Sequence, residues 1–142
     1  MTDPFDLDRF VSAQAPVFAQ VTRELRNGRK QSHWMWFIFP QLAGLGRSAM
    51  AQRYAIASLA EAQAYLDHRV LGPRLIELTE AVNQTSGRSA HQIFGSPDDM
   101  KFHSSMTLFA AARPDEPAFG SALQKYFNGQ RDRLTVERLQ PG

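Results

Sequence analysis

The sequence predicts a mainly α protein: a single compact helical domain, residues 1–142, of about six helices with at most a small strand pair. Three observations lead there. Apolar residues recur at helical spacing, as in Leu7, Phe10, Val17, Phe18, Val21 and Leu25, and again in Leu71, Leu75, Leu78 and Val82. Helix start and stop signals follow one another along the chain, from Ser58 with Glu61 to Asn128-Gly129. Alternation of the kind a half-buried strand shows is confined to Tyr54–Ala57.

Taken in order, Asp6 or Asp8 is expected to cap a short first helix. Pro16 interrupts the apolar repeat because an interior proline lacks the amide donor and clashes with the preceding turn. A second helix then runs from about Ala15 to Arg26 and stops at Asn27-Gly28, which supplies a left-handed cap. Lys30–Ser48 shows no helical period. Its run Trp34-Met35-Trp36-Phe37-Ile38-Phe39 before Pro40 reads as a short buried strand leading into the turn Gly44-Leu45-Gly46. Ser58-Leu59-Ala60-Glu61 fits a capping box, with Leu59, Ala62 and Leu66 turned inward behind it. The Leu71–Val82 helix tolerates Pro73 in its first turn, and Ser86-Gly87 breaks it. Ala90–Phe94 forms a short turn of helix up to Gly95. Ser96-Pro97-Asp98-Asp99 then reads as a hydroxyl cap, a proline and two first-turn acids opening a helix to about Ala112. From Met106 onward that helix is apolar on every side, as a buried helix is. A last helix carries Phe119, Leu123, Tyr126 and Phe127.

Composition narrows the function classes. The chain has 43% hydrophobic and 21% charged residues, which fits a packed globular domain. With no cysteine, a disulfide scaffold, a thiolate zinc site and a cysteine nucleophile are all excluded. His33, His68, His91 and His103 lack metal-site spacing, so no metal and no cofactor are expected. Gly-x-Ser-x-Gly is missing, and the glycines at 44 and 46 lack the third member of a dinucleotide fingerprint. Residues 1–10 hold three aspartates and no basic-then-apolar leader, and no apolar run approaches membrane-spanning length; a cytoplasmic protein is the expectation. The formal net charge of +2 is near balance. The clusters Arg23, Arg26, Arg29, Lys30 and Arg131, Arg133, Arg138 read as solvated helix ends rather than a nucleic-acid surface.

Two segments carry more polar and aromatic residues than packing alone explains, Lys30–Gly46 and Ser96–Ser105, and they are expected to meet in space. Asp98, Lys101 and Ser105 share one helical face and Asp99 and His103 another, with Ser104 beside them. One reading has the acids merely complementing the helix dipole; the other opens this end of the helix onto a cleft. His33, Trp34 and Trp36 supply faces for a base or sugar, or else they are core. Gln41 and the glycine turn would let backbone approach a ligand.

The residues Gly28–Gly46, with Phe10–Gln14 and Phe94–Phe109, resemble the domain-of-unknown-function family 1810, whose members are sometimes labelled calpastatin. That resemblance covers nearly the whole chain and implies a mainly helical fold with no established activity. More distantly, the order of a helix ending at Leu78–Val82, then Ser96–Asp99, then Phe119–Leu123 is similar to the NADAR superfamily of YbiA-like proteins, associated with ADP-ribose derivatives and N-glycosidic bonds. Lys101-Phe102-His103-Ser104 stand where that family has a Trp-x-Gly pattern.

Together these readings favour a pocket protein for a nucleotide or ADP-ribose-like ligand, with hydrolysis of an N-glycosidic bond as its extension. As catalytic residues, Asp98 or Asp99 would stabilise an oxocarbenium-like charge or serve as base, Lys30 or Lys101 would meet a phosphate, Trp34 or Trp36 would stack on a base or ribose, and His33, Gln41, Ser104 and Ser105 would complete the site. The alternative is a non-enzymatic interaction domain that docks a partner on Trp34–Phe39.

Overall fold

Asp3 starts the first helix. In the computed structural model, which describes residues 3–140, its carboxylate accepts the amides of Leu7 at 2.8 Å and Asp8 at 3.0 Å. Asp6 and Asp8 are therefore not the caps: helix α1 (Asp8–Gln14) has Leu7 at its N-cap, without a side-chain bond. Helix α2 (Phe18–Arg26) begins at Phe18 rather than Ala15, because residues 15–17 form the turn around Pro16. Gly28, at φ +72°, ends it in the left-handed region that glycine enters without a Cβ penalty.

The run from Trp34 to Phe39 is not a strand. Met35–Ile38 form a single helical turn, α3, which buries Met35, Phe37 and Ile38 together, where a strand would have put neighbours on opposite faces. Helix α4 (Ala49–Arg53), capped by Ser48, follows the glycine turn. The only pairing of extended segments among the described residues is a parallel bridge, Leu42 with Ile56. The Ala43 amide donates to the Ile56 carbonyl at 2.8 Å, and the Ile56 amide to Gln41 at 2.9 Å.

Helix α5 (Leu59–Asp67) has its expected cap: Ser58 Oγ accepts the Glu61 amide at 3.1 Å. Glu61 reaches back one residue further than a capping box requires, to the Ala57 amide, and pairs with Arg9 at 3.0 Å. Helix α6 (Leu71–Asn83) holds Pro73 in its first turn. The full reciprocal capping box belongs to helix α7 (Ala90–Phe94), between Ser89 and Gln92.

Helix α8 (Asp98–Ala112) ends where the apolar pattern ends, but Ser96 does not cap it. The N-cap position falls on Pro97, so Ser96 lies one residue too early for its hydroxyl to reach the first free amides. Helix α9 (Pro117–Phe127) stops at Asn128 in the left-handed conformation. A tenth helix, α10 (Arg133–Leu139), occupies the stretch that reads from sequence as a solvated basic run. Its cap, Asp132, binds Thr135 and Ser104.

Ten helices are thus present among the described residues, with the three short ones missing from the expectation being α3, α4 and α10. α8 is the axis, packing on α5, α7, α9 and α10, while α6 packs on α2, α5 and α9. Phe102, Met106, Leu108 and Phe109 of α8 are fully buried. Among the described residues no helix is long and apolar enough to cross a membrane.

Candidate functional site

The segments Lys30–Gly46 and Ser96–Ser105 do meet, and aromatic packing joins them. Phe39 lies edge-on to Phe102, with ring centroids 5.0 Å apart, and edge-on to Phe94 at 5.9 Å. Phe94 in turn stacks on Phe102 at 4.6 Å. Above this apolar floor the Lys30 amide donates to the Ile93 carbonyl at 2.7 Å, fixing where the loop after α2 crosses α7.

A charged cluster forms the rim. Lys30 Nζ sits 3.0 Å from Asp98 Oδ2, and Lys101 Nζ sits 3.5 Å from Asp98 Oδ1. One carboxylate therefore faces two ammonium groups, one on each oxygen. Each lysine also lies over an indole: Lys30 Nζ is 5.0 Å from the Trp34 ring centroid and Lys101 Nζ 5.4 Å from that of Trp36, within the range where the ring quadrupole attracts a cation. The Lys30 side chain is only 8% exposed and further donates to the Ser32 carbonyl at 2.5 Å. This removes Lys30 from the solvated basic run; Arg23, Arg26 and Arg29 are exposed as expected.

The two tryptophans differ. Trp34 is 1% exposed and belongs to the core, so it offers no face to a ligand. Trp36 is half-buried, with the Lys101 ammonium over its ring. Because Met35, Phe37, Ile38 and Phe39 are buried as well, Trp34–Phe39 is not an exposed aromatic patch.

The cluster rests on a residue without any sequence motif. Glu24, buried in α2, accepts five hydrogen bonds. Oε1 takes the Gln31 amide (2.7 Å), the Ser32 amide (3.0 Å) and Trp34 Nε1 (3.0 Å). Oε2 takes Ser32 Oγ (2.6 Å) and Gln20 Nε2 (3.0 Å). Burial pushes this carboxyl up, but the bonds from Ser32 Oγ, the Gln31 and Ser32 amides and the indole outweigh it and hold the group down at about 2. Glu24 thereby pins the 31–34 loop, and with it the carbonyl that receives Lys30. The sole signal in the sequence was an acid lying between Val21 and Leu25, on the apolar side of α2.

Other expected site residues lie elsewhere. Asp99 caps the Met100 amide at 2.9 Å and faces His91 at 3.4 Å. Ser104 donates to Asp132 at 3.1 Å and so serves α10. Ser105 is fully buried and its hydroxyl has no partner. His33 is exposed, and the Gln41 carbonyl belongs to the bridge with Ile56. At the glycine turn, close approach is made by side chains of the same chain. The space above Gly44 holds the Arg138 guanidinium: a Cβ there would meet Nη2 at 1.7 Å, and a Cβ at Gly46 would meet that of Ala51 at 2.5 Å. Among the described residues no three or more His, Asp or Glu side chains gather as a metal ion would require.

With this geometry in view, similarity to known proteins bears on the fold more than on the chemistry. The crystal structure of the conserved hypothetical protein Rv1873 from Mycobacterium tuberculosis matches with 60% identity and a TM-score of 0.97, over 99% of this chain and 100% of that one. Among curated proteins none matches. The distant likeness to NADAR proteins and ADP-ribose chemistry gains no support from these matches. Residues 4–139 match the model described as Protein of unknown function (DUF1810), and the chain belongs to that family.

Proposed function

We propose that the chain is a binding protein for an anionic, nucleotide-like small molecule, whose phosphate is met by Lys101 and Lys30 and whose base or ribose lies on Trp36. The carrying observation is the arrangement at Asp98: two ammonium groups share one carboxylate, one on each oxygen, beside a half-buried indole. Lys101 is the more loosely held partner. Its contact with Asp98 is longer than that of Lys30, and its side chain is 22% exposed against 8%, so it turns toward a phosphate at little cost.

Binding is the part the geometry favours over turnover. An N-glycosidic hydrolase needs a carboxylate directed at the sugar. Asp98 has a lysine on each oxygen, while Asp99 is engaged with His91 and the Met100 amide. Docking of a protein on Trp34–Phe39 loses its main support with the burial of that segment.

A thermal-shift screen with nucleotides, ADP-ribose and inorganic phosphate tests the proposal, since a ligand that binds only the folded state raises stability by mass action. Nucleotide-type ligands should raise Tm more than inorganic phosphate does. If none of them raises it, the proposal fails.

A further inference from the structure

Away from the lysine cluster, α10 and the Leu42–Ile56 bridge flank an open, groove-like cavity of about 560 Å³. Leu42, Leu59 and Leu139 form its apolar lining, Gly44 and Ser58 its polar edge, and Arg138 is its one charged lining residue among the described residues. This volume is too large for a bare ion to fill and falls in the range of small-molecule sites, roughly 300–1,000 Å³.

The guanidinium of Arg138 is held in place. Its Nε donates to the Ala43 carbonyl at 3.0 Å, and Nη2 lies on Gly44 so closely that any side chain there would displace it. Both Nη groups keep N–H donors beyond that single bond, in the planar fork that suits a carboxylate or phosphate. No acidic side chain lines the cavity, and Arg138 makes no ion pair among the described residues, although Arg113, Arg133 and Arg9 each do. Ser58 adds a donor: its Oγ accepts the Glu61 amide, which leaves the hydroxyl proton available at the rim.

We propose that this cavity is a second binding site, for an organic oxyanion with a short apolar body, whose head group is taken by Arg138 and Ser58 and whose body lies on Leu42, Leu59 and Leu139. It stands independently of the lysine cluster and would survive its failure. The Gly44 turn then has a role that no dinucleotide fingerprint supplies, as the seat of the arginine.

Amide chemical-shift titrations of the full chain with hexyl phosphate, hexanoate and hexan-1-ol test it. At least one of the two anions should shift Ala43, Gly44 and Leu59, and should bind about tenfold or more tightly than the alcohol, as a charge-assisted bond implies. The affinity difference between the two anions identifies the head group. Arg138→Gln, at an exposed helix position, should reduce the affinity by about tenfold or more, and Arg138→Lys by less, because the charge survives without the fork. Shifts centred elsewhere, alcohol binding equal to that of the anions, or unchanged affinity in Arg138→Gln would overturn the proposal.

Discussion

Lys30 Nζ lies 3.0 Å from Asp98 Oδ2, so the loop that leaves α2 is tied to the first turn of α8 across 68 positions of sequence, 98 minus 30. Both side chains are mostly shielded, at 8% and 19% exposure, which places the pair between the nearly worthless exposed ion pair and the costly buried one. The tie adds to the aromatic packing that joins the two polar segments, and Lys101 brings a second ammonium group to the same carboxylate.

Asp98→Asn separates the two roles an acid at this position could have. Removing the charge between two ammonium groups should cost about 1–3 kcal/mol, between the limits for exposed and buried pairs. It should also raise affinity for pyrophosphate, because the competing carboxylate is gone. Urea melts and a pyrophosphate titration of the variant check this. Parent-like stability with weakened anion binding would instead make Asp98 a ligand-facing group.

Asp99→Asn should behave differently. Its loss removes a first-turn charge and a contact with exposed His91, and should cost about 0.3–1 kcal/mol through the helix dipole, with anion affinity unchanged. A larger effect on binding than on melting would assign Asp99 to the site.

Glu24 predicts a pH dependence whose sign follows from its lowered pKa. Its stabilisation is fully present above the ordinary value of 4.5 and is lost progressively as pH falls toward about 2, since protonation gives up the charge that five donors hold. A shift of this size corresponds to roughly 3 kcal/mol. Glu24→Gln should lower stability at neutral pH and flatten the dependence between those two values. Urea midpoints of both proteins across that range check it, and an equally steep fall in the variant would place the acid sensitivity elsewhere.

Two serines that look alike in sequence should differ on replacement. Ser89→Ala removes the hydroxyl half of a capping box, the acceptor of the Gln92 amide, and should cost about 0.5–2 kcal/mol. Ser96→Ala removes no cap and should leave the denaturation midpoint near that of the parent. Equal losses in the two variants, at unchanged m-value, would mean that Ser96 bonds to α8 in solution.

Helices α6, α8 and α9 were legible because each presents several turns of consistent pattern and a chemical stop. Leu71, Leu75, Leu78 and Val82 mark one face, and Asn128-Gly129 marks an end. The one-turn helix α3 was not, since four bulky apolar residues satisfy a buried strand and a buried turn of helix equally well. α10 was hidden for another reason: its cap, Asp132, gains its meaning from Ser104 and Thr107, 28 and 25 residues away in the chain. Of the candidate site residues, Lys30, Asp98, Lys101 and Trp36 are the ones the fold brings together. Trp34 was misassigned because an indole buried on Glu24 and an indole offered to a ligand have the same sequence signature. Ser96 failed by one residue of register, the usual uncertainty of a helix end.

Calorimetric titration of ADP-ribose into the parent protein and Lys101→Gln tests the central claim most directly. Lys101 is partly exposed and lies outside the core, so the variant should fold like the parent. The lysine cluster predicts saturable binding to the parent that weakens with added salt, and a loss of about tenfold or more in the variant, as removal of a charge-assisted bond implies. No binding to the parent, or the same affinity in both proteins, would contradict it.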